Sequence, residues 1–373
     1  MQARIFPHSD IISQSNPPNT IFTIPPEPGN IPKQPSHQKP IKTMKAITYH
    51  EYGPPSVLKL TECDIPTPRD NEVRVKLHAT ALNASDWEIL RGKPLYARIF
   101  GLFKPKFAIL GTDIAGQVEA VGEKVTRFKP GDAVFGDIFE IFGGFAEYVC
   151  VPETNLTIKP PALTFTQAAA LPQSVCIALQ GIRDKGQVQP GQKVLINGGG
   201  GGAGTFAIQL AKHFGAEVTG VDNTEKQQIM RQAGADFVID YTQVDFTKNA
   251  QQYDLVFDMA AHHTVMDYRR VLRPRGKYLM VGGSMKAVLA VLLVGSLTSL
   301  FSGKKMRMLA LKLNQDLNFI LELCKTGKLV PMIDRIYPLS QTPEALRYLG
   351  EGHAKGKVVI SMEDEPGIEA PSP

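Results

Sequence analysis

The sequence predicts an α/β protein in which a β-rich, barrel-like part is followed by a doubly wound parallel sheet. Short β-rich runs broken by Gly and Pro follow residue 44, which indicates antiparallel strands. From about Thr166 onward, strand-like and helix-like runs alternate, and this alternation is typical of a parallel sheet with helices on both faces. The length of 373 residues also suits two domains better than one.

The predicted elements can be placed individually. Strands of the first part are predicted at residues 45–50, 72–79, 115–121 and 133–135. Strands of the second part are predicted at 193–197, 217–222, 237–239, 255–258 and 278–281. The remaining predicted elements are helices at 204–214, 225–232, 265–272 and 315–325, and a last strand at 357–360.

The first 43 residues are rich in proline. Nine prolines and little apolar periodicity leave too little buried surface to offset the ordering entropy, so we predict a disordered tail at 1–43. A second short tail is predicted at 363–373. The first segment lacks the basic start and apolar core of a secretory signal. We favour a cytoplasmic location over an organelle transit peptide.

The composition, 43% hydrophobic and 21% charged, is that of an ordinary globular protein. The formal net charge is +5, and residues 1–43 hold four basic and two acidic side chains. The net charge of +3 that is left for residues 44–373 is too small to indicate nucleic acid or an anionic membrane surface as a partner. The four widely spaced cysteines argue against a disulfide framework and a structural zinc site.

An apolar run at residues 287–294 extends weakly to Phe301. It is interrupted by Gly, Ser and Thr and falls short of the ~20 residues that span a bilayer, so we predict no transmembrane segment. We expect a helix at a subunit interface or over the active site, in preference to weak peripheral contact with a membrane.

A run of glycines joins the predicted strand 193–197 to the next helix. Gly198, Gly201 and Gly204 recur at every third position, and Gly202 and Ala203 lie between the last two. Glycine permits a sharp turn and the close approach of a pyrophosphate, while the helix start offers N–H groups and a positive dipole end. We therefore predict that this loop binds NAD(H) or NADP(H).

Three residues bear on the choice between the two cofactors. Asp222 ends the second strand of the sheet, where an acid accepts the ribose hydroxyls of NAD and repels the 2′-phosphate of NADP. Lys226 and Tyr241 are candidates to reach that phosphate. The local residues alone leave the choice open.

Separate motifs follow one another between about residues 44 and 362. They include Gly111-Thr112-Asp113-Ile114-Ala115-Gly116, Pro130-Gly131-Asp132-Ala133-Val134, Gly143-Gly144-Phe145-Ala146-Glu147-Tyr148 and Gly352-His353-Ala354-Lys355-Gly356-Lys357-Val358-Val359. With the glycine loop between them, their order resembles the medium-chain dehydrogenase/reductase superfamily. Within it, the chain is most similar to the zinc-free, quinone oxidoreductase-like branch.

The resemblance implies a GroES-like β-barrel catalytic domain at 44–160 and 314–362, and a Rossmann NAD(P)-binding domain at 161–313. It implies a homodimer that transfers hydride from NAD(P)H to quinones or α,β-unsaturated carbonyls. In relatives, the positions of Lys226 and Tyr241 are associated with the NADP phosphate, which favours NADP(H) despite Asp222.

The zinc-bearing members of this superfamily have a Cys-x-Ser/Thr-Asp segment and a Gly-His-Glu segment. The corresponding stretches here read Asn83-Ala84-Ser85-Asp86 and Gly111-Thr112-Asp113, so the cysteine and histidine ligands are replaced. We therefore expect no zinc or other metal. Hydrogen bonds must then stabilise the acceptor oxygen, which suits quinones and enones because their negative charge is delocalised.

The resemblance also suggests site residues. Residues matching Asn83 and Asp86 lie near the nicotinamide in the family, and both are catalytic candidates, although Asp86 could instead bind a backbone N–H. Ser85 and Tyr96 are candidate donors to the substrate oxygen, with a half-buried surface aromatic as the other interpretation of Tyr96. The cofactor site is expected to include Val281, Gly282 and Gly283, where the two glycines let the nicotinamide amide meet the backbone.

Two other functions stay open. One is a zinc-free alcohol or ketone dehydrogenase, against which the missing ligands count. The other is a non-enzymatic NADPH-binding structural or RNA-binding protein, against which the near-neutral charge and the intact glycine loop count.

Overall fold

A computed structural model gives the fold and describes residues 43–295, 297–298 and 303–363. Its strands are β1 (Thr43–Thr48), β2 (Lys59–Asp64), β3 (Glu72–Ala81), β4 (Asp113–Val121), β5 (Ala133–Asp137), β6 (Tyr148–Pro152), β7 (Thr157–Ile158), β8 (Lys193–Asn197), β9 (Glu217–Asp222), β10 (Phe237–Asp240), β11 (Tyr253–Asp258), β12 (Leu272–Met280), β13 (Lys305–Met308), β14 (Ile333–Pro338) and β15 (Lys357–Ser361). The α-helices are α1 (Ala84–Arg91), α2 (Phe165–Ala169), α3 (Pro172–Leu179), α4 (Gly202–His213), α5 (Gln227–Gln232), α6 (Val265–Arg270), α7 (Met285–Ala290), α8 (Leu317–Lys325) and α9 (Thr342–Gly350). The predicted tails lie outside the described residues, apart from Thr43, which begins β1, and Glu363.

The second part forms a six-stranded sheet with the order β10-β9-β8-β11-β12-β13, and every neighbouring pair is parallel. Side chains of β8 alternate between two cores: Val194 and Ile196 lie in a cluster with residues of α3, α4 and α8. Leu195 lies in another cluster with residues of α6. The predicted doubly wound sheet is therefore confirmed. Because the strand order reverses between β8 and β11, a crevice is expected at their carboxyl ends.

The first part is built on a seven-stranded sheet with the order β14-β15-β3-β4-β5-β7, to which β6 adds on β3. All its pairs are antiparallel except β14 with β15. The C-terminal strand β15 pairs with β3 through Val359 and Ala81, so residues far apart in sequence complete one sheet. This pairing brings the start of β15 beside the segment that precedes α1.

Several elements differ from the prediction. Helix α6 ends at Arg270, and residues 272–280 form one strand of which only the end was predicted. Pro274, the positive φ of Arg275 and Gly276 interrupt the alternation that would identify it. Strands such as β2 are mostly exposed and carry no continuous apolar run. The apolar run at 287–294 gives the short helix α7 and a π-helical turn, Val291–Gly295.

Candidate active site

A cavity of about 1800 Å³ opens where the order of the parallel sheet reverses. Its lining begins with Asn197 and Gly198 after β8 and Met259 and Ala260 after β11. Of the sequence-predicted site residues, those that line it are Asn83, Ser85, Gly198, Gly201, Gly202, Ala203, Gly204, Asp222, Lys226, Tyr241, Val281, Gly282 and Gly283. Asp86 and Tyr96 are not among its lining residues.

The glycine loop forms one end of this cavity. A side chain at Gly204 is excluded, since a Cβ there would lie 2.1 Å from the carbonyl oxygen of Gly198. A Cβ at Gly201 would meet nothing closer than 3.5 Å, so this side of the loop is open. Helix α4 begins at Gly202, and the first N–H groups of a helix have no intrahelical partner. The loop therefore fits a pyrophosphate, which these N–H groups would bind.

Asp222, which by sequence favours NAD, and Lys226, which favours NADP, lie side by side. The Lys226 ammonium is 3.6 Å from Oδ1 of Asp222, and both side chains are nearly buried. Oδ2 of Asp222 accepts a hydrogen bond from the Gly200 N–H at 3.0 Å. The carboxylate therefore supports the glycine loop, and its charge is balanced by Lys226. Tyr241 lines the same end of the cavity and is half exposed.

The other end of the cavity is a buried polar cluster around Lys357, which the sequence analysis did not single out. The Lys357 side chain is 1% exposed. The ammonium donates to Oδ1 of Asn83 at 2.7 Å and to Oγ of Ser174 at 3.1 Å, and it lies 3.3 Å from Oδ2 of Asp113. The only signal in the sequence was the motif 352–359 that carries Lys357. Ser174 had no such signal, because it lies in α3, far from the other members along the chain.

The hydrogen bonds of this cluster show which donors remain available. Asn83 uses its amide group on Asp113 at 3.0 Å and on Thr112 at 3.3 Å. Ser85 donates to Oε1 of Gln173 at 2.9 Å. Ser174 accepts from Lys357, and its own O–H has only a long contact, 3.4 Å, to Oδ1 of Asn83. Ser174 is therefore the hydroxyl best placed to donate to a molecule in the cavity.

Buried carboxyl groups surround the cluster. Burial raises the pKa of Asp113, an effect that the neighbouring Lys357 ammonium partly offsets. Burial, together with the charge of Asp113, raises the pKa of Asp137 well above its usual range. The ammonium of Lys357 thus supplies the positive charge that this low-dielectric region needs to hold a carboxylate.

Asp86 lies beneath the cluster. It is fully buried, and its Oδ2 accepts the backbone N–H of Asn83 at 2.8 Å in the capping box that begins α1. Burial raises the pKa of its carboxyl to about 7. This position favours the second interpretation of Asp86, a partner of a backbone N–H that fixes Asn83.

Tyr96 is partly exposed and connects two segments. Its hydroxyl donates to the carbonyl oxygen of Gly283 at 3.1 Å and lies 3.3 Å from a carboxylate oxygen of Glu88. Burial raises its pKa to about 12, so the hydroxyl keeps its proton at neutral pH. Tyr96 therefore joins the loop at 95–107 to the segment that holds Gly283.

Three family models match the chain. They are described as an alcohol dehydrogenase GroES-like domain over residues 69–161, the C-terminal domain of alanine dehydrogenase/PNT over 170–261, and a zinc-binding dehydrogenase over 233–360. A 2-methylene-furan-3-one reductase of Solanum lycopersicum is 35% identical over 333 residues, which cover 85% of this chain and 79% of the relative. The chain belongs to the medium-chain dehydrogenase/reductase superfamily. The predicted GroES-like and Rossmann parts are thereby confirmed.

Other members of the superfamily agree with this placement. A chloroplastic NADPH-dependent alkenal/one oxidoreductase of Arabidopsis thaliana is 33% identical and covers 86% of this chain and 80% of the relative. The structure of a quinone oxidoreductase from Coxiella burnetii superposes with a TM-score of 0.79 at 30% identity, covering 86% of this chain and 99% of that one. The cofactor class of the superfamily is NAD(P)H. The domain boundaries, the cytoplasmic location and the homodimer stay predictions.

Proposed function

We propose that the chain is a zinc-independent, NADPH-dependent reductase that transfers hydride to quinones or α,β-unsaturated carbonyls. The observation that carries this proposal is the arrangement of the cavity. One end is a loop shaped for a pyrophosphate, and the other places the Ser174 hydroxyl against a buried ammonium. Relatives named as quinone, alkenal/one and furanone reductases support the same reaction class.

The chain's own residues stabilise the acceptor oxygen. When bound, NADPH supplies the hydride. The Ser174 hydroxyl donates to the carbonyl or quinone oxygen, and the adjacent Lys357 ammonium strengthens that donation because it withdraws charge from the serine oxygen. Asn83 and Asp113 hold the ammonium in place. After hydride addition, a proton from water completes the reduced product.

The residues of the cluster do not fit a zinc ion. Zinc takes thiolate, imidazole or carboxylate ligands, and Asp113 is the one such group bonded to Lys357, whose ammonium would repel a divalent cation. Within the residues that the structure describes, no group of three or more His, Cys, Asp or Glu side chains is placed to hold a metal. We therefore propose a reaction in which hydrogen bonds alone stabilise the acceptor oxygen.

The preference for NADPH rests on Lys226 and Tyr241. Both line the cavity next to Asp222, and the ion pair with Lys226 lowers the repulsion that an unpaired carboxylate would exert on a 2′-phosphate. Gly282 fits the nicotinamide end, because a Cβ there would meet nothing closer than the Tyr96 hydroxyl at 3.9 Å.

The proposal is tested by the rate of NADPH oxidation with three acceptors: 9,10-phenanthrenequinone, a 2-alkenal, and the saturated aldehyde of the same length. We expect turnover with the first two and at least ~100-fold less with the saturated aldehyde, because only the first two delocalise the charge that hydride adds. Comparable turnover of the saturated aldehyde would favour the alcohol or ketone dehydrogenase. Cofactor binding with no oxidation by any acceptor would favour the non-enzymatic alternative.

A further inference from the structure

The rim of the cavity carries exposed apolar side chains on two segments. We define the basic apolar rim as residues 95–107 and 284–294. Among the residues that the structure describes, ten of the nineteen exposed large hydrophobic side chains lie in this rim. They are Leu95, Tyr96, Ile99, Leu102, Phe103, Met285, Leu289, Leu292, Leu293 and Val294. Phe103 is 89% exposed and Ile99 80%, values far from those of a packed loop.

The two segments form one surface beside the cavity mouth. The Tyr96 hydroxyl bonds to the Gly283 carbonyl directly before the second segment. Phe100 of the first segment and Ser284 of the second both line the cavity. In the second segment, Met285, Leu289 and Leu292 recur at helical spacing on the exposed face, while Val291 is buried in the core of the parallel sheet.

The charge of the rim has one sign. Its charged residues are Arg98, Lys104, Lys106 and Lys286, with no acid in either segment. Residues 44–363 carry a formal net charge of +6, and these four cations supply most of it. The positive charge is therefore concentrated at the rim, although the net charge of the whole chain is small. The acidic residues that line the cavity belong to neither segment; they are Glu88, Glu140, Asp222, Asp245 and Glu351.

We propose that the basic apolar rim docks on an anionic lipid surface, so that the cavity opens toward the bilayer. Lysines around exposed Phe, Leu and Ile side chains are the pattern that inserts apolar groups at the headgroup boundary while cations bind anionic lipids. A second copy of the rim fits poorly, since a symmetric dimer would place like charges against each other. No helix within the described residues is long and apolar enough to span a membrane, so the contact is peripheral.

Docking on a lipid surface does not depend on the proposed reductase function. Delivery of an apolar acceptor from the bilayer to the cavity would depend on that function. The test therefore measures binding of the full chain, by co-sedimentation with vesicles of phosphatidylcholine and with vesicles that also contain phosphatidylserine. We expect partitioning onto the second kind, at least ~10-fold stronger than onto the first and weakened by salt.

Two variants with matched controls locate the contact. Phe103→Ser should weaken vesicle binding by about 10-fold, whereas Phe237→Ser, also an exposed phenylalanine, should leave it unchanged. Lys104→Glu should weaken it by about 10-fold, while Lys124→Glu, whose lysine pairs with Asp70, should not. Unchanged melting temperatures and turnover of a water-soluble quinone would show that the variants are folded.

Three outcomes would overturn the proposal. The first is no partitioning onto either kind of vesicle, or equal partitioning onto both. The second is an equal loss of binding in the controls. The third is self-association of the free chain that Phe103→Ser abolishes, which would assign the rim to a second copy.

Discussion

The two ends of the active-site cavity differ in the groups that form them, backbone at one end and side chains at the other. The glycine-loop end is made of backbone: consecutive residues between β8 and α4, supported by a single carboxylate, that of Asp222. The Lys357 end is made of side chains from four places in the chain. They meet because β15 and β4 both pair with β3, and because α3 is hydrogen-bonded to Asp113. Binding of a common cofactor therefore depends on a contiguous motif, whereas the chemistry at the acceptor oxygen depends on long-range packing.

The largest loss of stability and turnover is expected from substitution of Lys357. Lys357→Met leaves the Asp113 carboxylate buried without its cation, so it should destabilise the fold by roughly 3–5 kcal/mol and abolish turnover. The double variant Lys357→Met, Asp113→Asn removes the unpaired charge, and it should recover most of the melting temperature but not the turnover. Recovery of both would reduce Lys357 to a structural role.

Removal of the Ser174 hydroxyl, a single hydrogen-bond donor, should lower turnover less than the loss of Lys357. Ser174→Ala should lower kcat for a 2-alkenal by roughly 10–100-fold at nearly unchanged KM, since the lost hydrogen bond is strongest once negative charge develops. Ser85→Ala is the matched control, because that hydroxyl is engaged with Gln173, and a change within about threefold is expected. Steady-state kinetics of both variants would contradict the assignment if their losses were equal.

At the glycine-loop end of the cavity, Lys226 is expected to affect the preference for NADPH over NADH and not the rate of hydride transfer. Lys226→Met should raise KM for NADPH by about 10-fold and leave KM for NADH nearly unchanged, since only NADPH carries the 2′-phosphate. Lys355→Met is a suitable control, because Lys355 pairs with Glu225 nearby. An equal rise for both cofactors would place Lys226 outside the phosphate site.

The last prediction concerns stability rather than turnover, at Asp86 beneath the Lys357 end. Its folded-state pKa is raised to about 7, so the favourable contribution of its protonated form is complete below about pH 4 and is lost as pH rises through 7. Asp86→Asn should remove this dependence. The melting temperature of the variant minus that of the unchanged chain should therefore increase between pH 4 and 8; a constant difference would contradict the raised pKa.

Sequence patterns predicted the glycine-loop end well, since β8 and β9 have buried apolar runs and the glycine loop directly follows β8. Residue types at Asn83 and Thr112 indicated that the usual zinc ligands are replaced. They did not reveal what occupies that space, because Lys357 reaches it across 274 residues of sequence. The pairing of Asp222 with Lys226 was equally hidden: both residues were noted, but their proximity depends on the turn after β9.

The zinc dependence of catalysis tests the proposed mechanism most directly. Purified protein would be dialysed against a strong chelator, its metal content measured, and NADPH oxidation with 9,10-phenanthrenequinone compared before and after. We expect an unchanged kcat and no stoichiometric zinc, because in the proposed mechanism Ser174 and Lys357 stabilise the acceptor oxygen. Loss of turnover on chelation, restored by one equivalent of zinc, would contradict it.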